Sequence, residues 1–585
     1  MKTTVTLKKG RLSGTLLSAL ISIYKADSQE SAYLLWKWEQ WLSDPEIVVY
    51  TASIEGQRAG WILFNPIRST LEELVMDKKH REQGWEELLL DELVARETLL
   101  AAVIPVFHPH YKILEVYGFR PTRNLNREGF LLVRMELSAA AFLARASAGL
   151  PVKRKNRREK VAVEVVPASQ EYEEIKSSLE ALLNKLGGLH HFVKPGQSVV
   201  IKPNVVSDHG LKDGVYKGGV VTDIRLIRAL VELLLPIAGR VIIAEGSSIN
   251  RSETSNMFRH YGYEHLLDLA PDRVHLVDLN LDQLVEKTIP RGKRMISRQI
   301  PLTLEQADVI IDVPVMKIHF AAIVSLCVKS LQGAVPPLEK YMTHFFGLWQ
   351  NLVNIHHLVK PKLFIIDALT GQEDFGPLTG TPKTMNLLLG GTNPVAVDSV
   401  AMRIMGIEPE SSPPVLLAHL QGFGPLAPEA ITLLGPSLVE LRDPFKQPDI
   451  KLTGGRDVAV YAGQACPGCR GYLHFGLAKL RKADPQNPNR LLIDRPMEER
   501  VNIFLGPDTG EQVDPNAYNI FMGLCQEHHA RMGHHLPGCP PHSEVILGEL
   551  FSLFPDVQRA SYAEKSEEAK LGEMLEQILS LKEEG

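Results

Sequence analysis

The sequence predicts an α/β multidomain protein with an N-terminal α/β domain, a central domain on a mainly parallel sheet, and a small cysteine-rich C-terminal domain. Three observations lead there. At 585 residues the chain is too long for one core. Between residues 160 and 445, short Val/Ile/Leu runs alternate with helical stretches. Four of the five cysteines lie in the last quarter.

Residues 1–140 alternate helical and strand-like runs. "TLLSALISIY" (15–24), behind Lys8, Lys9 and Arg11, imitates a signal peptide, but no small-residue cleavage site follows and it reads equally as an amphipathic first helix. Further on, "LEELVMDKKHREQGWEELLLDELV" (71–94) joins a strand to a helix through a basic, glycine-containing turn, and "HYKILEVYGFRPTR" (110–123) follows. Residues 141–160 end in "KRKNRREK" and read as a basic linker, a solvated hinge.

In residues 161–445 the buried-strand runs are "SVVIKPNVV" (198–206), "RVIIAEGSS" (240–248), "VHLVDLN" (274–280), "DVIIDVPVMKIH" (308–319), "KLFIIDALTG" (362–371) and "MNLLLGGTN" (385–393). Such runs between helices such as "IRLIRALVELLLPIAG" (224–239) predict a parallel sheet covered on both faces. Nearly every run ends in polar residues: Lys202 and Asn204, Glu245 and Ser247, Asp278 and Asn280, Lys317 and His319, then Asp367. Open parallel sheets hold ligands outside the carboxyl ends of their strands, so these groups imply a shared cleft. Lys202, Lys317 and Lys329 suit a carboxylate or phosphate, while Glu245, His319 and Asp367 suit proton transfer or a hard metal. Asp398 reads as the cap of the helix it introduces, and Cys327 as a core residue.

Residues 446–550 combine cysteines with many Pro, Gly and His, as in a small domain that needs a staple. "ACPGCRG" supplies Cys466 and Cys469 as a C-x-x-C turn, and Cys525 and Cys539 complete four thiolates, enough for zinc or a [4Fe–4S] cluster. "GLCQEHHARMGHHLPGCPPH" (523–542) adds five histidines, which read as solvated, although His529 shares a helical face with Cys525. Residues 551–585 read as a helix with Leu571, Met574, Leu575, Ile578 and Leu581 on one stripe.

Composition excludes other classes. With 44% hydrophobic and 23% charged residues and a net charge of −5, nothing implies a nucleic acid or membrane partner, and no apolar run is long enough to span a bilayer. Few, clustered cysteines suit a reducing compartment, the cytoplasm.

Three resemblances sharpen these expectations. Across about 45–138 the quoted motifs resemble the GNAT-fold N-acetyltransferases, whose strand–turn–helix holds coenzyme A pyrophosphate on backbone amides. The resemblance places that role on Arg81, Gln83 and Gly84, with acetyl-CoA as cofactor and Glu73 as general base. The chain departs at Glu86, where the family has glycine or alanine, and at Leu114, where it often has a catalytic tyrosine; Tyr117 directly precedes Gly118 instead.

Across about 160–425, "VVIKPNVV", "GVVTDIRLIRALVE", "EGSS", "DVIIDVPVMKIH", "SLCVKSLQG", "LFIIDALTGQEDFGP" and "GGTNPVAVDSVAMRIMG" occur in the order of the family called domain of unknown function 362. Carried over onto matching positions, its polar residues are Lys202, Asn204, Asp223, Glu245, Lys317, His319, Lys329, Asp367, Glu373 and Asp398. Members are often joined to iron–sulfur modules, and "LPGCPPHSE" (536–544) is similar to a cluster-binding loop of hydrogenase small subunits. The expectation is redox or related chemistry on an anionic small molecule, with a [4Fe–4S] cluster and an electron-transfer partner protein. Alternatives are an acetyl-CoA-dependent N-acyltransferase with structural zinc, and a non-enzymatic cluster-bearing sensor.

Overall fold

Alternate residues of the central strands serve two different cores, which is why their sequences are apolar throughout. Val199 and Ile201, Val241 and Ile243, and Val309, Ile311 and Val313 join one cluster with residues of the helices Tyr172–Lys185 and Ile224–Leu234. Val200, Ile242, Ala244 and Ile310 join another with Leu331, Val335, Ile355 and Val359. The computed structural model describes residues 5–559, apart from 22–27, 67, 78–79, 81–84, 95–96, 98, 100, 138–140, 142–144, 146–157, 213–214, 249–252, 290–294, 296 and 507–512, and also residues 573–574.

The chain folds into two units, each assembled from separate stretches. The larger takes residues 148–454, 467–495 and 538–585. Its main sheet runs in the order Val274–Asp278, Arg240–Glu245, Ser198–Pro203, Val309–Val313, Leu363–Glu373, Thr381–Gly391, Glu159–Val165, Ile431–Leu434, with Val315–His319 and Ile323–Ser325 attached beside Leu363–Glu373. The first five strands are parallel. Thr381–Gly391 lies antiparallel to both of its neighbours. Lys202 and Asp312 are register partners, as are Glu245 and Asp278, so their side chains gather at one end of the parallel strands.

The smaller unit takes residues 1–147, 455–466 and 496–537. Its seven-stranded sheet runs Val5–Gly10, Val48–Ile54, Gln57–Asn65, Thr70–Met76, Ala101–Pro105, Phe130–Leu137, Phe119–Arg127. Only Thr70–Met76 and Ala101–Pro105 are parallel, and they pair for just two residues, Thr70 with Ala101 and Leu71 with Ala102, before parting. This order and parting give the GNAT-like fold that the motifs imply. The helix Gly14–Ile21 buries Leu16 and Leu20. A second sheet is wholly parallel: Val458–Tyr461, Val501–Leu505, Tyr518–Met522, His534–Leu536. Tyr461, Phe504, Phe521 and His529 stack across it with centroids 4.9 to 5.2 Å apart.

The cysteine-rich segment 446–550 is therefore not a separate body. Its helix Pro467–Leu480 buries Leu473, Leu477 and Leu480, and Gly476 lets it close on Ile546 and Leu550 of the helix Ser543–Ser552, within the larger unit. Glycine and histidine in that helix masked its apolar face in the sequence. At the basic linker, Glu159 already starts a strand, and most of the rest lies outside the described residues. Of the C-terminal stripe only Met574 is described, packed against Tyr341 and Phe345; the rest lies outside.

Asp398 does not cap its own helix, Pro394–Ile404, which Asn393 caps. It sits inside that helix, fully buried, and accepts the N–H groups of Cys327 and Val328 at 2.8 and 2.9 Å, thereby capping the short helix Cys327–Ser330. Removing it strands two buried donors. Asp398→Ala should lower amide-exchange protection across Cys327–Ser330 by roughly thirty-fold, about 2 kcal/mol; unchanged protection there would disprove the capping role.

Candidate functional site

The carboxyl ends of the central strands bury an ionic group. Lys202, 1% exposed, donates to Glu245 Oε2 at 2.7 Å, and its Nζ lies 3.9 Å from Asp312 Oδ1. Ser330 donates to Asp312 Oδ1 at 2.7 Å, tying the capped helix to the strand end. Asp312 Oδ2 is buried with no hydrogen-bond partner among the described residues. Burial raises Glu245 and brings Asp312 up to about 7 despite the nearby ammonium. A Cβ at Gly333 would overlap the Glu245 carboxylate, so glycine is required where this chain passes the ion pair.

Beside this group stand cations without carboxylates of their own. Lys317, 1% exposed, has one recorded acceptor, the Val220 carbonyl at 2.9 Å. Lys329, on the capped helix, is half-buried and has no hydrogen bond or ion pair among the described residues. Burial lowers Lys317 to about 7, helped by Lys329, and lowers Lys329 to about 8, helped by Lys202. His319 is held well below its ordinary value by burial and by Lys329, Lys317 and His344. Its Nδ1 accepts from the N–H groups of Ala321 and Ala322 at 3.1 and 3.2 Å, so the neutral ring carries its proton on Nε2. Phe320 stacks on His319 at 4.9 Å and meets Tyr472 and Phe475 edge-on, an aromatic wall on this side.

Lys340 and His344 escaped the sequence reading. They sit four residues apart on the helix Pro337–Phe346, where Glu339, Lys340, Thr343 and His344 are all buried. Lys340 donates to the Gly246 and Ser247 carbonyls and to Asn280 Oδ1, at 3.0, 2.8 and 2.7 Å. Burial pulls it down to about 7, while three acceptors favour its charged form. The usable signal was polar residues spaced i, i+4 on an otherwise apolar helix.

Three predicted site residues do architectural work instead. Asn204 Nδ2 donates to the Val220 carbonyl at 2.8 Å, fixing the turn that also presents Val220 to Lys317. Gly219, at φ +78°, belongs to that turn, and a Cβ there would strike the Gly371 carbonyl. Asp367 accepts from Asp223 N and Leu369 N at 2.7 and 3.0 Å, beside the Asp223–Arg225 ion pair. Glu373 accepts from Lys446 N at 2.9 Å and clips a later segment to its strand. Lys202, Glu245, Lys317, His319 and Lys329 form the group.

In the smaller unit, Glu73 is 1% exposed, just past the point where its strand leaves Ala101–Pro105. Glu73 Oε1 lies 2.8 Å from His108 Nε2 and accepts from Leu74 N at 3.0 Å. Glu73, His108 and His110 bring potential metal-ligating atoms within 4.8 Å of one another. His110 N donates to His108 Nδ1 at 3.1 Å, which puts the neutral ring's proton on Nε2, facing Glu73. A metal on that nitrogen would need an imidazolate, so the geometry favours a carboxylate–histidine hydrogen bond. Glu72 forms a buried pair with Lys37 at 2.8 Å. Leu114 is buried, and Tyr117 donates to Asp91 at 2.9 Å, with burial and Asp91 raising its hydroxyl. Arg81, Gln83 and Gly84 lie outside the described residues.

Of the four clustered cysteines two fall in each unit, and Cys327 lies in the larger. In the larger, Gly468, next to Cys469, closes on Pro540, next to Cys539; Cys539 N donates to the His344 carbonyl at 2.7 Å and its carbonyl accepts from Leu348 N at 2.8 Å. In the smaller, Gly506 meets Ala465, next to Cys466, and accepts from Gln526, next to Cys525. Cys469 and Cys539 are buried, Cys466 and Cys525 half-buried. The histidines among them are not simply solvated: His529 is buried and bonded to Gln526, His535 faces the Gly523 carbonyl, and His542 caps the helix Ser543–Ser552.

Residues 199–403 match the family model described as domain of unknown function, DUF362. A relative named thylakoid-associated protein sll1697, from Synechocystis, is 26% identical over 292 residues, covering 48% of this chain and 86% of its own. Solved structures similar to part of the chain include an acetyltransferase from Thermus thermophilus (15% identity, 22% of this chain and 96% of that one, TM-score 0.18). Others are the ribosomal-protein-S18-alanine N-acetyltransferase of Escherichia coli (16%, 23% and 93%, TM-score 0.17) and a GNAT acetyltransferase of Elizabethkingia anophelis with acetyl-CoA bound (17%, 23% and 98%, TM-score 0.17). Among the described residues no helix is long and apolar enough to cross a membrane. The stretch from 199 to 403, which carries the lysine group, is thus the part of the chain that is similar to the DUF362 family.

Proposed function

We propose that the central domain binds an anionic small molecule at the Lys317–His319–Lys329 group and acts on it in redox or related chemistry in the cytoplasm. One observation carries this: two lysine side chains and an imidazole N–H gather where, among the described residues, no carboxylate pairs with Lys317 or Lys329. A carboxylate or phosphate would supply the missing counter-charge. The Glu245–Lys202–Asp312 group beneath would set the field at its base and hold protons.

The thiols of Cys469 and Cys539 in the larger unit, and those of Cys466 and Cys525 in the smaller, are donors of a kind that suits a [4Fe–4S] cluster as it suits zinc. A bound cluster would supply one-electron transfer, and an electron-transfer protein would be its partner. The chain's own part is to keep Cys539 in place through His344 and Leu348. A second reading, N-acyl transfer from acetyl-CoA, draws on Glu73, whose buried carboxylate stands at the parting of two strands, oriented by His108.

Inorganic phosphate should bind the full chain, and Lys317→Met should weaken it about tenfold or more. Affinity should be greatest below pH 7 and fall as pH rises through about 7 and 8, where Lys317 and Lys329 lose their protons. Calorimetry showing no binding, or binding that strengthens over that range, would refute the anion site. Anaerobically purified protein should contain iron and sulfide with absorption near roughly 400 nm, lost in Cys469→Ser; zinc without iron would instead identify a structural site. Acetyl-CoA should protect the smaller unit from exchange, and Glu73→Gln should leave that binding intact while lowering acetyl transfer about a hundredfold; equal transfer rates would remove Glu73 as base.

A further inference from the structure

The four buried or half-buried lysines of the central site are not equivalent. Lys202 is committed to Glu245, Lys340 has three acceptors for its three N–H bonds, and Lys317 is tied to the Val220 carbonyl. Lys329 has none of these, and its surroundings are cationic or neutral: Lys202, Lys317, His319 and His344. The carboxylates nearest its helix are occupied. Asp398 caps that helix, Asp312 Oδ1 is held by Ser330 and lies 3.9 Å from Lys202 Nζ, and Glu245 is held by Lys202. An amine beside other cations in a desolvated site loses its proton easily and becomes a nucleophile.

We propose that Lys329 forms an imine with an oxo acid, whose carboxylate is held by Lys317 and the Nε2–H of His319. This rests on the anion-site reading and names its substrate class. The uncharged Lys329 nitrogen attacks the carbonyl carbon, forming the C–N bond and opening the C=O double bond. The carbonyl oxygen then leaves as water, taking up the two hydrogens that the amine gives up, so neither oxidant nor reductant is consumed. The wall of Phe320, Tyr472 and Phe475 beside His319 limits water on that side. With Lys329 brought down to about 8, roughly one amine in ten is uncharged at pH 7, against fewer than about one in a thousand for a solvated lysine.

The test uses the full chain, glyoxylate as the smallest oxo acid, and borohydride to fix any imine, followed by peptide mass mapping. Lys329 should carry the adduct at glyoxylate levels that leave other lysines less than about a tenth modified. At saturating glyoxylate the trapping rate should rise with pH through about 8, and below saturation inorganic phosphate should slow it by competing for the anion position. Lys329→Arg removes the nucleophilic amine, so it should abolish the adduct. Phosphate binding without a Lys329 adduct would overturn the imine and leave the anion site standing. Absence of phosphate binding in the unaltered protein would overturn both. Trapping at Lys329 that phosphate does not slow would overturn the oxo-acid assignment.

Discussion

The central domain is organised around a buried excess of positive charge. An isolated ammonium inside a protein is costly, and the structure offsets that cost unevenly. Lys202 has Glu245 and Asp312, Lys340 has three oxygen acceptors, Lys317 has one, and Lys329 has none among the described residues. The gradient from fully satisfied to unsatisfied gives the site a direction. At one end stands the Lys202–Glu245 ion pair, and at the other Lys329, without an acceptor among the described residues.

Two devices hold that gradient in place. Parallel register sets Lys202 against Asp312 on neighbouring strands, so the ion-paired end follows from the sheet itself. The other end depends on Asp398, which anchors the four-residue helix bearing Lys329 by two backbone hydrogen bonds. So short a helix has little cohesion of its own, and a buried carboxylate from another helix supplies it. The Val220 turn does the same for Lys317, with Asn204 holding the other side of the same carbonyl.

Much of this was legible in the sequence. Buried parallel strands announce themselves as unbroken apolar runs, and polar residues at their ends mark the cleft. What the pattern could not resolve is which polar strand ends face the cleft. Asp367 and Lys317 look alike as polar residues closing a strand, yet Asp367 turns to the backbone of Asp223. Lys340 and His344 come from a helix whose partners lie some 60 to 200 residues away in sequence, at Asn280 and Pro540, so their i, i+4 spacing marks a buried polar face without naming what it meets. The Glu73–His108 pair was hidden likewise, since its members are 35 positions apart and one lies in a loop. The GNAT-like strand order was readable from motifs, whereas the splitting of the cysteine-rich segment was not. Apolar contacts of Leu473, Leu477 and Leu480 decided that, in a helix whose composition looked like a loop.

That splitting has a consequence for how the molecule can be made and taken apart. The chain passes from one unit to the other at 147/148, 454/455, 466/467, 495/496 and 537/538, five crossings, one of them inside the C-x-x-C turn. A ribosome therefore delivers the GNAT-like sheet first, but the second sheet of the same unit gains its last strand, His534–Leu536, only after every strand of the larger unit's main sheet has emerged. No single cut yields either unit intact, and no continuous gene fragment encodes one. The two units are obliged to be inherited, synthesised and degraded as one piece.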